Sequence, residues 1–449
     1  MLPGSGVSPT NNGKEFLSMN SPAVPPTQAF SRAYTRFALM MLTLVYAFNF
    51  IDRQILVVLQ EPIKAEMGLS DVQLGLLSGF SFALIYVIAG IPIAYWADRG
   101  NRRNIIALAL TVWSGMTALS GLTQNFAQLM AARVGVGLGE AGGSPPAHSM
   151  ISDYYPPEQR GTALSIYSCG LYLGAAAGFL VAGFAADALG WRMVFMLVGV
   201  PGVLFAILLR FTLKEPRRGR WDTVAAAAYK PGLRETLTVL RQRPSFWLIA
   251  LACGMMAFGS YGIGNFLPSF LIRNHNMSLS EIGVAMAAIS VLGGMVGTFL
   301  GGYLADKLGV KDKRWYLWLP MYGALLAFFP MLYILWSDNT LVILVMLGFT
   351  IVLNSLYLGP AIAMCHTIVP PSMRAITSAM MFFVLNMIGM GMGPLVTGLG
   401  SDLLEPVYGN NSLRYSMIIT AIIASSSILL LFLASRKLPA DLVRQNRAH

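Results

Sequence analysis

Four ionisable residues lie deep in apolar sequence, and their spacing limits the chemistry they can do together. Asp52 and Arg53 sit inside FALMMLTLVYAFNFIDRQILVVL, three and four residues after Asn49, so that on a helix these polar side chains share one face. Arg133 and Glu140 sit inside RVGVGLGEAGGSPP at 133–146. An advance of about 100° per residue puts Arg133, Gly137, Glu140 and Ser144 on one edge of that helix, with Gly135, Gly139, Gly142 and Gly143 roughly opposite. Guanidinium groups grip phosphate or carboxylate oxygens with forked donors, and a carboxylate sheltered from water can exchange a proton as its cation partner comes and goes. The pattern therefore predicts an anion site at Arg133 and Arg53, flanked by Asn49, with Asp52 and Glu140 as proton sites.

The elements that must position these residues follow from composition. The chain has 449 residues, 55% hydrophobic and only 11% charged, against about 25% charged in ordinary soluble domains. Twelve apolar runs, from 36–58 to 413–435, are each long enough to cross a bilayer as a helix. An ion at the centre of such a helix costs about 2.5–3.5 kcal/mol, so the four charges are expected to face water or a partner rather than lipid. The glycine edge should let a neighbouring helix approach closely.

Of 31 Lys and Arg residues, 25 fall on the side that holds both termini, which predicts cytoplasmic termini and, in a bacterium, an inner-membrane location. The net charge of +11 is thus mostly loop charge near lipid headgroups, with no nucleic-acid surface implied. Cys169, Cys253 and Cys365 lie in apolar runs without ligand spacing, so neither a disulfide framework nor a metal site is expected.

Two pairs of similar blocks recur. GIPIAYWADRGNRR at 90–103 and GGYLADKLGVKDKR at 301–314 place Asp98 and Asp306 208 residues apart, and PPEQRGTALS and PPSMRAITSA place Arg160 and Arg374 214 apart. Two parallel six-helix halves explain both offsets, an arrangement that in transporters sets the binding site between the halves near mid-membrane. The expected organisation is a tail at 1–35, a first half at 36–211, a basic linker at 212–244 lying as an amphipathic segment in the headgroup region, a second half at 245–435 and a tail at 436–449.

On these residues, from about 36 to 435, the chain resembles the major facilitator superfamily. The DRGNRR core at 98–103 is similar to the superfamily's loop signature, with Asn101 where glycine is usual, and RVGVGLGEA is similar to its fourth-span signature, whose arginine is associated with proton coupling. FNFIDRQIL together with RVGVGLGEAGGSPPAHS and YWADRGNRR most resembles the spinster branch, a lysophospholipid and sphingosine-phosphate transporter group. The resemblance implies an all-α membrane protein of twelve helices that works by alternating access.

The first six runs bury four charges and the last six bury none, offering instead Met255, Met256, Met380, Met381, Met387, Met390 and Met392 with Phe382 and Phe383. A charged wall opposite an adaptable apolar one suits a cargo with an ionic head and a hydrocarbon tail. Tyr261 and Asn265, in the glycine-rich GSYGIGNFLP, are further candidate cargo contacts. Asp98, facing the start of the eleventh run, and Arg99 or Arg102, pairing with Asp153 or Glu158, are candidates for a gate on the terminal side.

The leading expectation is a monomeric, proton-coupled carrier of lysophospholipid or sphingoid phosphate that works in the bilayer without a cofactor. The alternative cargo is a small organic anion such as a sugar acid. A lipid-modifying enzyme is the third reading, but no Ser-His-Asp arrangement or His-rich spacing supports one.

Overall fold

The computed structural model describes residues 30–221 and 232–446. The expected tail at 1–35, the middle of the linker and the last three residues of the chain therefore lie largely or wholly outside the described residues. Within them, every long element is a helix, as hydrocarbon requires of a backbone that must satisfy its own polar groups.

Twelve helical passages are present among the described residues. Span one is Arg32–Val58, span two Asp71–Arg99 and span three Arg102–Ser120; span four runs through Phe126–Glu140 and Ser144–Tyr154. Spans five and six share the continuous element Pro157–Thr212, divided at Gly190, whose φ of 77° breaks the helix. Span seven is Pro244–His275, span eight Leu279–Gly309, span nine Trp315–Trp336 and span ten Thr340–Thr367. Span eleven ends with Gly393–Tyr408, and span twelve comprises Ser412–Ala424 and Ser426–Asn446. An even number of passages returns the chain to its starting side, here called the terminal face.

Local chemistry fixes where spans begin. Ser70 with Gln73 and Ser278 with Glu281 form reciprocal caps at the first turns of spans two and eight, satisfying backbone donors that lipid cannot. Asn101 caps span three by accepting a hydrogen bond from the Asn104 N–H at 3.0 Å, with φ of −79°. No positive φ is needed there, so the departure from glycine at this position is chemically sensible. Three spans contain wider π-helical turns: Leu76–Phe80 in span two, Ser290–Met295 in span eight and Asn386–Met392 in span eleven.

The glycine edge of span four faces span three. A Cβ on Gly139 would come within 2.7 Å of the Trp113 backbone nitrogen, and one on Gly142 within 2.9 Å of the Ala109 side chain. The two six-span groups meet chiefly away from the terminal face, where span two packs on span eleven and span five on span eight. Close approach there also depends on small residues: a Cβ on Gly283 would lie 2.6 Å from the Phe179 carbonyl, and one on Gly398 would collide with the Asp71 carbonyl.

Two parts of the expected linker at 212–244 lie within the described residues. Residues 213–221 have no helix and are pinned to the terminal face of the first six spans, whereas Leu233–Arg241 is a short helix that buries Thr236 and Leu240 beside span seven.

Candidate functional site

The four predicted charges come together between spans one, three and four, but they are not equivalent. Arg53 forms an ion pair with Glu140, its Nη2 2.7 Å and its Nε 2.9 Å from Oε2. The Arg53 side chain keeps 18% exposure, whereas that of Glu140 has none. Asp52 is fully buried, and Arg133 is only 2% exposed. Asp52 does not pair with the adjacent Arg53, because consecutive helical residues point about 100° apart. Asn49, 6% exposed, lies one turn earlier on span one.

Aromatic rings complete the setting. The Arg53 guanidinium lies 4.6 Å from the centroid of Phe82, 5.2 Å from Phe50 and 5.6 Å from Tyr86, and its Nη1 donates to the Met390 sulfur of span eleven. Arg133 approaches the same Phe82 ring at 5.9 Å. One aromatic ring therefore serves both guanidiniums, giving each a partner that offsets its separation from water. Of the two guanidiniums, Arg53 is the partly exposed one, whereas Arg133 is buried.

A cavity of about 440 Å³ adjoins this cluster through Phe50 and Gln54, the residues flanking Ile51–Arg53 in span one. Most of its wall comes from spans seven to ten and twelve, and no Asp, Glu, Lys or Arg lines it. The expected methionine wall is not what forms it: Met256 alone of the seven named methionines contributes, because the methionines of span eleven face elsewhere. Met381 and Met390 are buried, and Met392, Phe382 and Phe383 are exposed outside the lining. The apolar surface comes instead from Leu267, Met286, Phe328, Met331, Leu347 and Ile351, interspersed with Ser260, Ser290, Thr350, Asn354 and Ser355.

Tyr261 lines the cavity within electrostatic reach of Arg53. Asn265 does not; its Nδ2 points to the Ser78 carbonyl of span two at 3.4 Å, which makes it a contact between halves. Tyr172 of span five, absent from the sequence candidates, lines the cavity and lies 2.5 Å from the Thr298 hydroxyl of span eight.

The residues expected to gate the terminal side do not bond across the two halves in this structure. Arg102 is 1% exposed and does bond Asp153, but it also contacts Ser149, Glu215 and the Pro216 carbonyl, all on the first six spans or the linker. Glu215 further accepts the Arg103 backbone N–H, and Asp153 accepts that of Gly219. These contacts fasten the linker to the first half and cross no boundary that rocking would open. Arg99 stacks on Tyr95, 3.6 Å from the ring centroid, and Asp98 is exposed rather than paired with span eleven.

The charged closure lies on the opposite face and was not anticipated. Arg273 of span seven bonds Glu61 and both oxygens of Asp71, at 2.7–3.0 Å. Lys64 and the Ser401 hydroxyl add two more donors to Asp71, each at 2.6 Å. Asp402 of span eleven accepts the backbone N–H groups of Asp71 and Val72, both at 2.8 Å, and so caps span two from across the interface. A signal existed in the sequence: Lys64, Arg192, Arg273 and Arg414 are the rare basic residues on this face, and each pairs with an acid.

Comparison with known proteins agrees with this architecture. The Major Facilitator Superfamily model matches residues 42–394. A crystal structure of a bacterial homolog to the human lysosomal transporter Spinster, inward-facing and unoccupied, superposes with a TM-score of 0.85 at 33% identity, covering 92% of this chain and 99% of that one. An MFS-type efflux pump of Mycolicibacterium smegmatis is 32% identical over 91% of this chain and 95% of its own length. A cis,cis-muconate transport protein of Acinetobacter baylyi is 31% identical over 64% of this chain and 69% of its own. Family, sequence and structure comparisons thus agree, and the chain belongs to the Major Facilitator Superfamily as a spinster-like transporter.

Proposed function

We propose that this transporter moves an amphipathic anion, a lysophospholipid or sphingoid phosphate, by proton-coupled alternating access, with its terminal face in the cytoplasm. The observation that carries the cargo reading is the adjacency of one accessible guanidinium, Arg53, to a cavity of about 440 Å³ without a charged residue in its wall. Arg53 holds the phosphate while the hydrocarbon chain enters the cavity past Phe50 and Tyr261. The linkage to protons comes from competition. Arg53 already holds Glu140, so an arriving anion displaces that carboxylate, and a buried carboxylate deprived of its cation takes up a proton. Anion and proton then bind together, with Asp52 as the second proton site and Arg133 fixing the field around both. The protein works as a monomer and needs only the proton as coupling ion.

A second cargo reading has its own support. The hydroxyl and amide groups in the cavity wall suit a small polar anion, and the similar protein from Acinetobacter baylyi is named for muconate. Uptake of a fluorescent lysophospholipid into proteoliposomes, with unlabelled lysolipid and a sugar acid as competitors, separates the two. Competition by lysolipid is the expected result; competition by the sugar acid alone transfers the assignment to the small anion.

A further inference from the structure

The first six spans carry a groove that neither the mid-depth cluster nor the closure uses. It encloses about 230 Å³ between spans two, three and four, and every residue lining it is apolar. Trp96 of span two, Leu108 of span three and Leu138 of span four are exposed along it, and none of its lining residues lines the cargo cavity. The groove therefore opens outward on the first half, toward the bilayer.

Its course suits a hydrocarbon chain. On span three the lining extends from Ile105, close to the terminal face, to Val112, a rise of about 10 Å at 1.5 Å per residue. On span four it reaches Gly142, which lies in the interruption at 141–143 between Phe126–Glu140 and Ser144–Tyr154. An apolar slot facing hydrocarbon is filled by it, because a void forfeits the dispersion contacts of its walls.

The terminal end of the groove is cationic. A Cβ on Gly100, where span two ends, would lie 3.1 Å from Trp96 Nε1 and 3.2 Å from Ile105 Cδ1, which sets Gly100 at the mouth. The Gly100 carbonyl accepts from Arg218 Nη2 at 2.6 Å, and the Ala97 carbonyl accepts from the same nitrogen. Arg218 has no acidic partner among the described residues, since Asp153 and Glu215 pair with Arg102. Asp98 and Arg99, both exposed next to Gly100, cancel in net charge. The Trp96 indole, with its N–H at the mouth and its body in the groove, marks the level at which headgroups begin.

We propose that this groove holds a bilayer phospholipid with an anionic headgroup, one acyl chain lying along Ile105–Val112 against the span-four interruption and the phosphate meeting Arg218. The lipid is a resident brace rather than cargo, and the inference is independent of the cargo reading. Guanidinium donors match phosphate oxygens, whereas a zwitterionic headgroup brings a cation that Arg218 repels.

The test reads Trp96 in the full-length protein. Phosphatidylcholine proteoliposomes receive rising fractions of phosphatidylglycerol brominated on its acyl chains, or of phosphatidylcholine brominated in the same way. The Trp96 signal is the fluorescence difference between wild type and Trp96→Phe. Phosphatidylglycerol should half-quench it at a fraction about fivefold lower than phosphatidylcholine, the factor expected of one cation near an anionic lipid. Arg218→Gln should erase this preference, and Arg218→Lys, which keeps the charge, should retain it. Val112→Phe fills the groove and should erase the preference with Arg218 intact. Equal quenching by the two lipids in wild type overturns the proposal, as does a preference that survives Arg218→Gln or Val112→Phe. Loss of the preference in Arg218→Lys would trace it to the carbonyl contacts and overturn the headgroup role.

Discussion

The protein holds two ionic clusters built on opposite principles. At the face away from the termini, Asp71 receives donors from Arg273, Lys64 and Ser401, and Asp402 has a backbone N–H on each oxygen. At mid-depth, Asp52 has no hydrogen bond to either oxygen, and Arg133 and Glu140 are each only partly satisfied. Saturated charges hold two surfaces together, because any rearrangement leaves a buried ion unpaired. Unsaturated charges retain donors and acceptors that no neighbouring side chain has taken. The difference separates a closure between the halves from an unsaturated cluster within one half, although both are made of the same residue types.

The largest test of this contrast is Arg53→Ala. It leaves Glu140 buried without its cation, a loss of about 3–5 kcal/mol for a buried pair, and flux per folded protein in proteoliposomes should fall by at least about 100-fold. Arg53→Lys keeps the charge but not the fork and should recover only part of that loss. Near-wild-type flux in the alanine variant would reduce the mid-depth cluster to a static joint.

Arg273→Ala addresses the other cluster. Removing its contacts to Glu61 and Asp71 should favour opening of that face by about tenfold or more, in line with about 1.5–3 kcal/mol for a hydrogen bond to a charged group. Spin-label distances between the outer ends of spans two and eleven would lengthen. An unchanged distance distribution would show that helix packing at Gly398 closes the face unaided.

The smallest effect belongs to Glu66→Gln, which sharpens the comparison by removing a pair that is not saturated by burial. The Arg192 side chain, and then the Trp191 indole, hold the Glu66 carboxyl below its ordinary range. Because the folded value is the lower one, the stabilisation is present above the unfolded carboxylate range and fades as pH falls through the folded value. Both side chains are well exposed, 33% for Arg192 and 49% for Glu66, so only about 0–1 kcal/mol is at stake. Thermal unfolding should show a small loss near neutral pH that disappears in acid; a large loss would place this pair with the closure.

Composition and apolar run length were enough to establish twelve helices, since hydrocarbon leaves a backbone no other way to satisfy its polar groups. The repeated blocks around Asp98 and Asp306 made two halves legible, and the spacing of Arg133 and Glu140 placed both on the edge that meets span one. Partner choice was another matter. That Glu140 takes Arg53 and that Asp402 caps a helix 331 residues earlier both depend on which faces the fold brings together. Sequence periodicity encodes the face of one helix, but ion pairing between helices depends on depth, rotation and crossing, which only tertiary packing supplies.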